Sequence, residues 1–362
     1  MKKERIDPEI TKNINTLPPE MGEVLLNWYD YNKRNLPWRE DPSPYHVWVS
    51  EIMLQQTRVE AVAAYYYRFM DRLPELADLA GVPEDELMKL WEGLGYYSRA
   101  RNLKKAAGLV MTEYQGQLPS TRTELEKLPG IGEYTAGAIA SIAFGRKEPA
   151  IDGNMMRIFS RLLCHPGEIS KTAVKRDVRE AICRIMPEER PGDFNQALMD
   201  LGATICLPNG RPLCENCPWS ALCLAHKLEK ESDYPVKKAK KARRIEHLTV
   251  LLIECGEKRI LHRRAGRGLL AGLYEYPNLS GTFSPEKLEE QLDRWGFRDY
   301  ELEYYKKGKH IFSHVEWRMQ AYRIRIGEFP PYLLEKMNWL AVEREEVLHQ
   351  YAIPSAFEMF RE

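Results

Sequence analysis

The 362-residue sequence contains no apolar run approaching the length of a bilayer span, which argues against a helical membrane protein. It shows no internal repeat and no low-complexity tract, so ordinary folded domains are expected. It has no net charge either, with 53 Lys and Arg against 53 Asp and Glu. Any surface for nucleic acid must then be a local patch balanced by acidic residues elsewhere. The opening MKKERIDPEITKN is charged but has no apolar segment behind it. It does not read as a secretory signal, and a reducing cytoplasmic setting without structural disulfides is expected. Cysteine is scarce, at seven residues, yet four of them crowd into positions 206–223.

The length accommodates two or three domains. Up to about position 230 the pattern is helical: Val24, Leu25, Trp28 and Tyr29 repeat at helical spacing, as do Trp48, Ile52, Val59, Val62 and Tyr66. Residues 231–245 form a tether in which six of the eight positions 237–244 are Lys or Arg. It is a solvated linker or an added phosphate contact. Residues 246–362 change to an α+β pattern. Strands are expected at Leu248–Ile253, Arg259–Arg264 and Trp317–Ile326, the last with an alternation that slips near Ala321, and a helix is expected over Pro285–Trp295.

Three clusters carry chemistry. Cys206, Cys214, Cys217 and Cys223 have the spacing C-x7-C-x2-C-x5-C, and four thiolates suit either zinc or a 4Fe–4S cluster. Leu128-Pro129-Gly130-Ile131-Gly132 lies between the helical stretches Thr123–Lys127 and Tyr134–Phe144. Its glycines permit a tight turn, and the helix start behind it offers backbone N–H groups to a phosphate, although a plain helix–helix turn has the same pattern. Asp152 follows twenty residues after Gly132 and taken alone reads as a helix N-cap. Glu51, in Val47-Trp48-Val49-Ser50-Glu51-Ile52-Met53-Leu54-Gln55-Gln56-Thr57, sits among apolar neighbours. Partial burial would raise its pKa and fit it for general-acid work.

These motifs resemble a known family. LPGIGEYTAGAIAS followed by AIDGNMMRIFSRL is similar to the helix-hairpin-helix plus aspartate motif of the endonuclease III superfamily, and the cysteine run resembles that superfamily's C-x6-C-x2-C-x5-C loop with one extra residue near Pro208-Asn209-Gly210. The segment containing Glu51 resembles the SEVMLQQT motif of MutY-type adenine glycosylases, and Leu269–Pro277 resembles a loop of their Nudix-like domain. The resemblance implies a mainly α helix-hairpin-helix glycosylase region, residues 1–230, with a 4Fe–4S loop at 206–223. It also implies an α+β Nudix-like domain over 246–362.

The resemblance further implies site residues. Glu51 and Asp152 would be the catalytic acids, with Tyr134 and Asn154 beside them. Bifunctional relatives carry an amine-bearing lysine where this chain has Tyr134, and a phenol forms no imine, so a monofunctional enzyme using water is expected. Trp38, Arg39, Leu54 and Gln196 would line the base pocket, while Gln56 and Tyr96 would act as wedges in the duplex. Phe312-Ser313-His314 would meet the 8-oxoguanine opposite the excised adenine, and Gly130 and Gly132 would hold phosphate. The Nudix-type helix has Asp293 and Arg294 where paired glutamates belong, so this domain is expected to read and not to hydrolyse. The implied partner is double-stranded DNA with adenine opposite 8-oxoguanine or guanine, bound by a cytoplasmic monomer (nucleoid-associated in a bacterium). Three other readings stand beside this one. They are a bifunctional lyase on oxidised pyrimidines, a non-catalytic DNA-binding module, and a nucleotide hydrolase in the C-terminal domain.

Overall fold

The computed structural model describes residues 8–238, 242–329 and 331–361. Residues 239–241, in the middle of the basic tether, lie outside the described residues, as do the first seven. The helices are α1 (Pro8–Asn15), α2 (Met21–Asn32), α3 (Pro44–Leu54), α4 (Val59–Arg72), α5 (Leu76–Gly81), α6 (Glu84–Leu90), α7 (Ser98–Glu113), α8 (Arg122–Leu125), α9 (Glu133–Ile142), α10 (Gly153–Leu162), α11 (Thr172–Ile185), α12 (Pro191–Thr204) and α13 (Leu224–Lys227). No described helix is long and apolar enough to cross a membrane.

The chain divides into two compact units, and the division is not where composition changes. Residues up to 81 pack with those from 102 to the tether, whereas residues 82–101 pack with the chain beyond it. The first unit is helical. Along α10, Met155, Ile158, Phe159 and Leu162 recur at helical spacing and meet Leu25 and Leu26 of α2, Val178 and Ile182 of α11, and Phe194, Leu198 and Leu201 of α12. Trp219, from the cysteine loop, is sunk into the same core, and its indole N–H donates to the Met21 carbonyl at 3.0 Å. Buried Trp219 thereby fixes the cysteine loop to α2.

The second unit is a mixed sheet covered on both faces. Its elements are β1 (Arg244–Cys255), β2 (Lys258–Arg263), β3 (Tyr274–Glu275), β4 (Asn278–Ser280), α14 (Pro285–Trp295), β5 (Tyr300–Ile311), β6 (Val315–Ile326), α15 (Pro331–Met337), β7 (Trp339–Glu343) and α16 (Arg344–His349). The strand order is β3-β2-β1-β6-β5, with β4 also on β1 and β7 on β2. β1 and β6 run parallel, from Arg244 opposite Val315 to Glu254 opposite Arg325.

The slip near Ala321 has a physical cause. Val315, Trp317, Met319 and Ala321 face one core with Leu248, Val250, Leu252, Val347 of α16 and Phe357. Tyr322, Ile324 and Ile326 face the other, with Leu251, Ile253, and Leu288 and Leu292 of α14. The strand keeps its period of two while its apolar side changes halfway along, as a sheet buried on both faces allows. β5 bulges opposite the crossover, between Tyr304 and Lys306. The expected helix is found as α14, started by Ser284, whose hydroxyl accepts from the Lys287 N–H, and ended by Gly296 at φ +89°.

Segment 82–101 is tied to this second unit by polar groups. Glu92 accepts from the Ile353 N–H at 2.8 Å and pairs with Arg361, and Lys89 donates to the Tyr351 carbonyl at 3.1 Å. A boundary at residues 231–245 therefore describes the linker but not the packing, because twenty residues of the helical region have crossed over.

Candidate active site

Glu51 lies on α3, a helix that starts with Ser43 as N-cap and Pro44 in its first turn. The neighbouring Trp48, Val49, Ile52 and Met53 are buried, and Glu51 is buried with them, at 4% exposure. Burial pushes its carboxyl up to about 7, with Asp152 adding to the rise. The Tyr134 hydrogen bond and the Arg39 charge oppose it.

Tyr134, in the first turn of α9, donates its hydroxyl to Glu51 Oε2 at 2.5 Å. Burial raises the phenol well above its ordinary value, as do Glu51 and Asp152, so Tyr134 keeps its proton. Asp152 is the N-cap of α10: its Oδ1 accepts from the Met155 N–H at 2.8 Å, and its Oδ2 accepts from Asn154 Nδ2 at 2.7 Å. The capping role and a place in the pocket are both true of Asp152. Burial raises its pKa, against the hydrogen bonds from Met155 and Asn154 and the charge of Arg157.

Glu51, Tyr134, Asp152 and Asn154 open onto one cavity of about 220 Å³, whose wall also includes Trp38, Arg39, Leu54 and Gln196. Every residue expected at the base pocket is thus brought to one place. Two others were missed. Arg34 lines the cavity, and Asp200, buried behind it, binds both Arg34 and Arg39. Asp200 lies one helical turn after Gln196, and that spacing was the available signal.

Gln56 stands just past α3, exposed, with φ +61°. Tyr96 is 48% exposed with φ +49°. Left-handed backbone is uncommon for such side chains, and both expected wedges adopt it. Tyr96 belongs to the second unit, where its hydroxyl shares a hydrogen bond with Ser313 Oγ at 2.7 Å. Phe312, Ser313 and His314 form the turn between β5 and β6, closed by the Phe312 N–H donating to the Val315 carbonyl at 2.8 Å. Phe312 packs on His310 and Trp317, while Ser313 and His314 are exposed, so Ser313 is not a buried strand-end serine. Tyr96 and the three turn residues border a cavity of about 600 Å³.

In the hairpin, Gly130 has φ +82° and a Cβ there would stand 2.8 Å from the Asn102 Cβ, whereas a Cβ on Gly132 would meet nothing within 4 Å. Gly132 is the N-cap of α9, and no side chain caps that helix start. Arg122, Lys175 and Arg179 all pair with Glu133 behind it.

The four cysteines line one small cavity with Arg161 and Trp219. The extra residue is absorbed in an exposed turn at 208–210, with Gly210 at φ +72°, and the Leu213 N–H bridges to the Ile205 carbonyl at its base. Burial pushes the Cys217 thiol up to about 12 and the Cys223 thiol up to about 11, reinforced by the other cysteines. Arg161 donates to Cys206 Sγ at 3.2 Å. Among the described residues, the three potential ligands whose donor atoms all lie within 4.8 Å of one another are Cys214, His226 and Glu231.

Residues 49–184 match the HhH-GPD superfamily of base excision DNA repair proteins, and residues 249–362 match the NUDIX domain. The chain is 36% identical over 366 residues to the adenine DNA glycosylase of Mus musculus, an alignment covering 84% of this chain and 70% of that protein. Against the adenine DNA glycosylase of Homo sapiens it is 35% identical over 396 residues, covering 92% and 71%. Among solved structures, a thermostable thymine-DNA glycosylase superposes with a TM-score of 0.52 at 28% identity, covering 60% of this chain and 98% of that one. The chain belongs to the adenine DNA glycosylase family and is a base-excision repair enzyme.

Proposed function

We propose that this enzyme hydrolyses the N-glycosidic bond of adenine paired with 8-oxoguanine or guanine, using water and forming no imine. The observation that carries the reading is the buried Glu51 carboxyl, near 7, hydrogen-bonded by Tyr134 in the cavity that also holds Asp152. Tyr134 donates to Oε2, which leaves Oε1 to carry the acid proton. Transfer of that proton to adenine N7 makes the base a leaving group. The C1′–N9 bond then breaks, its electron pair goes to the base, and the sugar becomes cationic.

The Asp152 carboxylate, oriented through Oδ1 and Oδ2 by Met155 and Asn154, stabilises that cation. Water adds at C1′ and gives up its proton to Glu51, which restores the acid. The phenol of Tyr134 supplies no amine to trap the sugar, which supports the monofunctional reading over a lyase. Trp38, Arg39, Leu54 and Gln196 would hold the flipped adenine. Gln56 and Tyr96 would fill the gap it leaves, and the Phe312–His314 turn would read the opposite base. Gly130 and Gly132 would seat a backbone phosphate.

Cys206, Cys214, Cys217 and Cys223 would hold a 4Fe–4S cluster. All four thiols line one small cavity with Trp219 and Arg161, which supports a single group held by the four together. When bound, the cluster supplies bracing of the loop and no hydrolytic chemistry. The test is a panel of duplexes with adenine opposite 8-oxoguanine, adenine opposite guanine, and thymine glycol opposite adenine. Release of adenine from the first two without a borohydride-trapped adduct is expected. No release, or a trapped imine, would overturn the reading. The absorbance spectrum and the metal content of freshly purified protein separate iron–sulfur from zinc.

A further inference from the structure

The α14 face of the sheet in the second unit is covered only part of the way along its strands. The cover reaches the row of Thr249 and Gln320, both buried. The Gln320 amide donates to the Thr249 hydroxyl at 3.3 Å and to the Phe283 carbonyl at 2.5 Å. Two residues nearer the turn between β5 and β6, His247 of β1, Arg318 of β6 and Lys309 of β5 stand in register as one row. All three are exposed. Trp317 and Met319 face the opposite core, and a Cβ on Gly308 would run into Met359 of that core. Side chains alternate along a strand, so Arg318 and Lys309 both point to the open end of the α14 face.

The row is electrostatically unfavourable as it stands. Lys309 is directly opposite Arg318 in an antiparallel pair, a placement that destabilises like charges. Arg318 pairs with Glu316 at 2.9 Å. Lys309, and Lys307 two positions before it on the same face, make no ion pair among the described residues. The Arg318 hydrogen bond, with the charges of Arg318, Lys309 and Arg243, holds the Glu316 carboxyl below its usual range. One carboxylate is left to serve three cations, so the patch is positive in a chain whose net charge is zero. Its distance from the turn sets what it can meet. Lys309 precedes Phe312 by three residues and Arg318 follows Val315 by three, about 10 Å along each strand. DNA grooves are about 8 Å deep, so a turn that touches a base edge has the residues one groove depth behind it at the level of the phosphates. Arg243 and Ile311 continue the patch into the cavity that the turn borders.

We propose that Lys309 and Arg318 clamp backbone phosphates of the DNA strand that carries the base opposite the excised adenine. The inference rests on the proposed role of the Phe312–His314 turn in meeting that base. A phosphate seated between the two cations turns their repulsion into attraction, while Glu316 keeps the Arg318 guanidinium oriented. Phosphate contacts carry no sequence information, so the clamp supplies grip and register and leaves discrimination to the turn.

The probe is a duplex with a tetrahydrofuran abasic-site analogue opposite 8-oxoguanine, which needs no chemistry to be read. Its binding is measured between 50 and 200 mM salt for the native protein and for the double variant Lys309→Gln, Arg318→Gln. A control, Lys258→Gln with Lys336→Gln, removes two exposed charges elsewhere in the same unit. Each neutralised phosphate contributes about 0.9 to the slope of log K against log salt, so the clamp variant should lose about 1–2 from the slope and the control less than about 0.5. Preference for 8-oxoguanine over guanine should stay within about twofold in all three proteins. Uncharged methylphosphonate linkages within about four nucleotides of the opposite base should weaken the native protein and spare the clamp variant. The same linkages in the strand with the abasic site should weaken both alike. An unchanged slope, an equal fall in the control, a shifted base preference, or a methylphosphonate penalty as large in the clamp variant as in the native protein would each overturn the proposal. A native protein that binds this duplex no more tightly than undamaged DNA would overturn the reading of the turn instead, and the two failures are distinguishable.

Discussion

The hydroxyls of Tyr96 and Ser313, 217 positions apart in the chain, share a hydrogen bond of 2.7 Å. One comes from the segment that leaves the helical unit, the other from the turn between β5 and β6. A residue proposed to enter the duplex and a residue proposed to read the opposite base are therefore coupled before any DNA arrives. The bond ties an otherwise exposed serine to a tyrosine held at φ +49°.

Tyr96→Phe should preserve the ring while removing that coupling. The expected outcome is a several-fold fall in the preference for 8-oxoguanine over guanine, measured as the ratio of adenine-release rates on the two duplexes. Ser313→Ala should cause a similar fall, and the double variant should add little, since both changes remove one interaction. Full additivity would mean that the two residues act independently.

As the proposed general acid, Glu51 should set the pH dependence of release. Its carboxyl is held up to about 7 by burial, so the proton needed for the leaving base is lost as pH rises through that value. Release should then fall about tenfold per pH unit above it. On the acid side, Asp152 must ionise, and its pKa is also raised by burial, so the profile should be bell-shaped, with limbs belonging to the coupled pair. Stability carries the same sign. The folded state binds the Glu51 proton more tightly than the unfolded chain, so that contribution is complete below the unfolded value of about 4.5 and is lost as pH rises through about 7. Glu51→Gln should abolish release yet gain stability over the native protein at pH 9 relative to pH 5, by an amount on the order of 3 kcal/mol. Denaturant titrations at the two pH values check it.

The two hairpin glycines should separate folding from binding. At Gly130 a side chain would meet the Asn102 Cβ at 2.8 Å on a backbone with φ +82°, so Gly130→Ala should cost about 1–3 kcal/mol of stability. At Gly132 an added methyl meets no protein atom, so Gly132→Ala should leave the denaturation midpoint almost unchanged. If a phosphate approaches that backbone, it should weaken duplex binding. Equal affinity in the native and Gly132→Ala proteins would remove Gly132 from the DNA surface.

Much of this was legible in the sequence because the signals are local. The spacing of the cysteines, the Leu128–Gly132 run and the placing of Glu51 within a helix each depend on a few consecutive residues. The pocket set assembled around α3, α9, α10 and α12 was reached through resemblance, which carries tertiary information that periodicity lacks. What escaped depended on long-range pairing. Arg34 and Asp200 lie 166 positions apart, and nothing local to either shows that they meet. The crossing of residues 82–101 rests on Glu92 accepting from Ile353, 261 positions away. The slip in β6 was visible but unreadable, since only the second covered face of the sheet explains it.

Gly202 offers a last test, because it packs against the residue that orients Asp152, the proposed stabiliser of the sugar cation. A Cβ there would stand 2.5 Å from the Asn154 Cβ. Asn154 donates to Asp152 Oδ2 at 2.7 Å and is held in turn by Arg157, which donates to its Oδ1 at 2.9 Å. The same Arg157 donates to the carbonyls of Gly202 at 2.7 Å and Cys206 at 2.8 Å, so the approach of α10 to α12 is fixed by one guanidinium. In Gly202→Ala the added methyl must push Asn154 away, and Asp152 loses the amide that orients one of its oxygens. Stability should fall by about 1–3 kcal/mol, as for overpacking of a close helix contact. Adenine release should fall at least as far as in Asn154→Ala, while affinity for a duplex carrying an abasic-site analogue stays within about threefold, since Gly130 and Gly132 lie elsewhere. A Gly202→Ala protein that keeps native release rates would show that Asn154 does not orient Asp152 during the reaction.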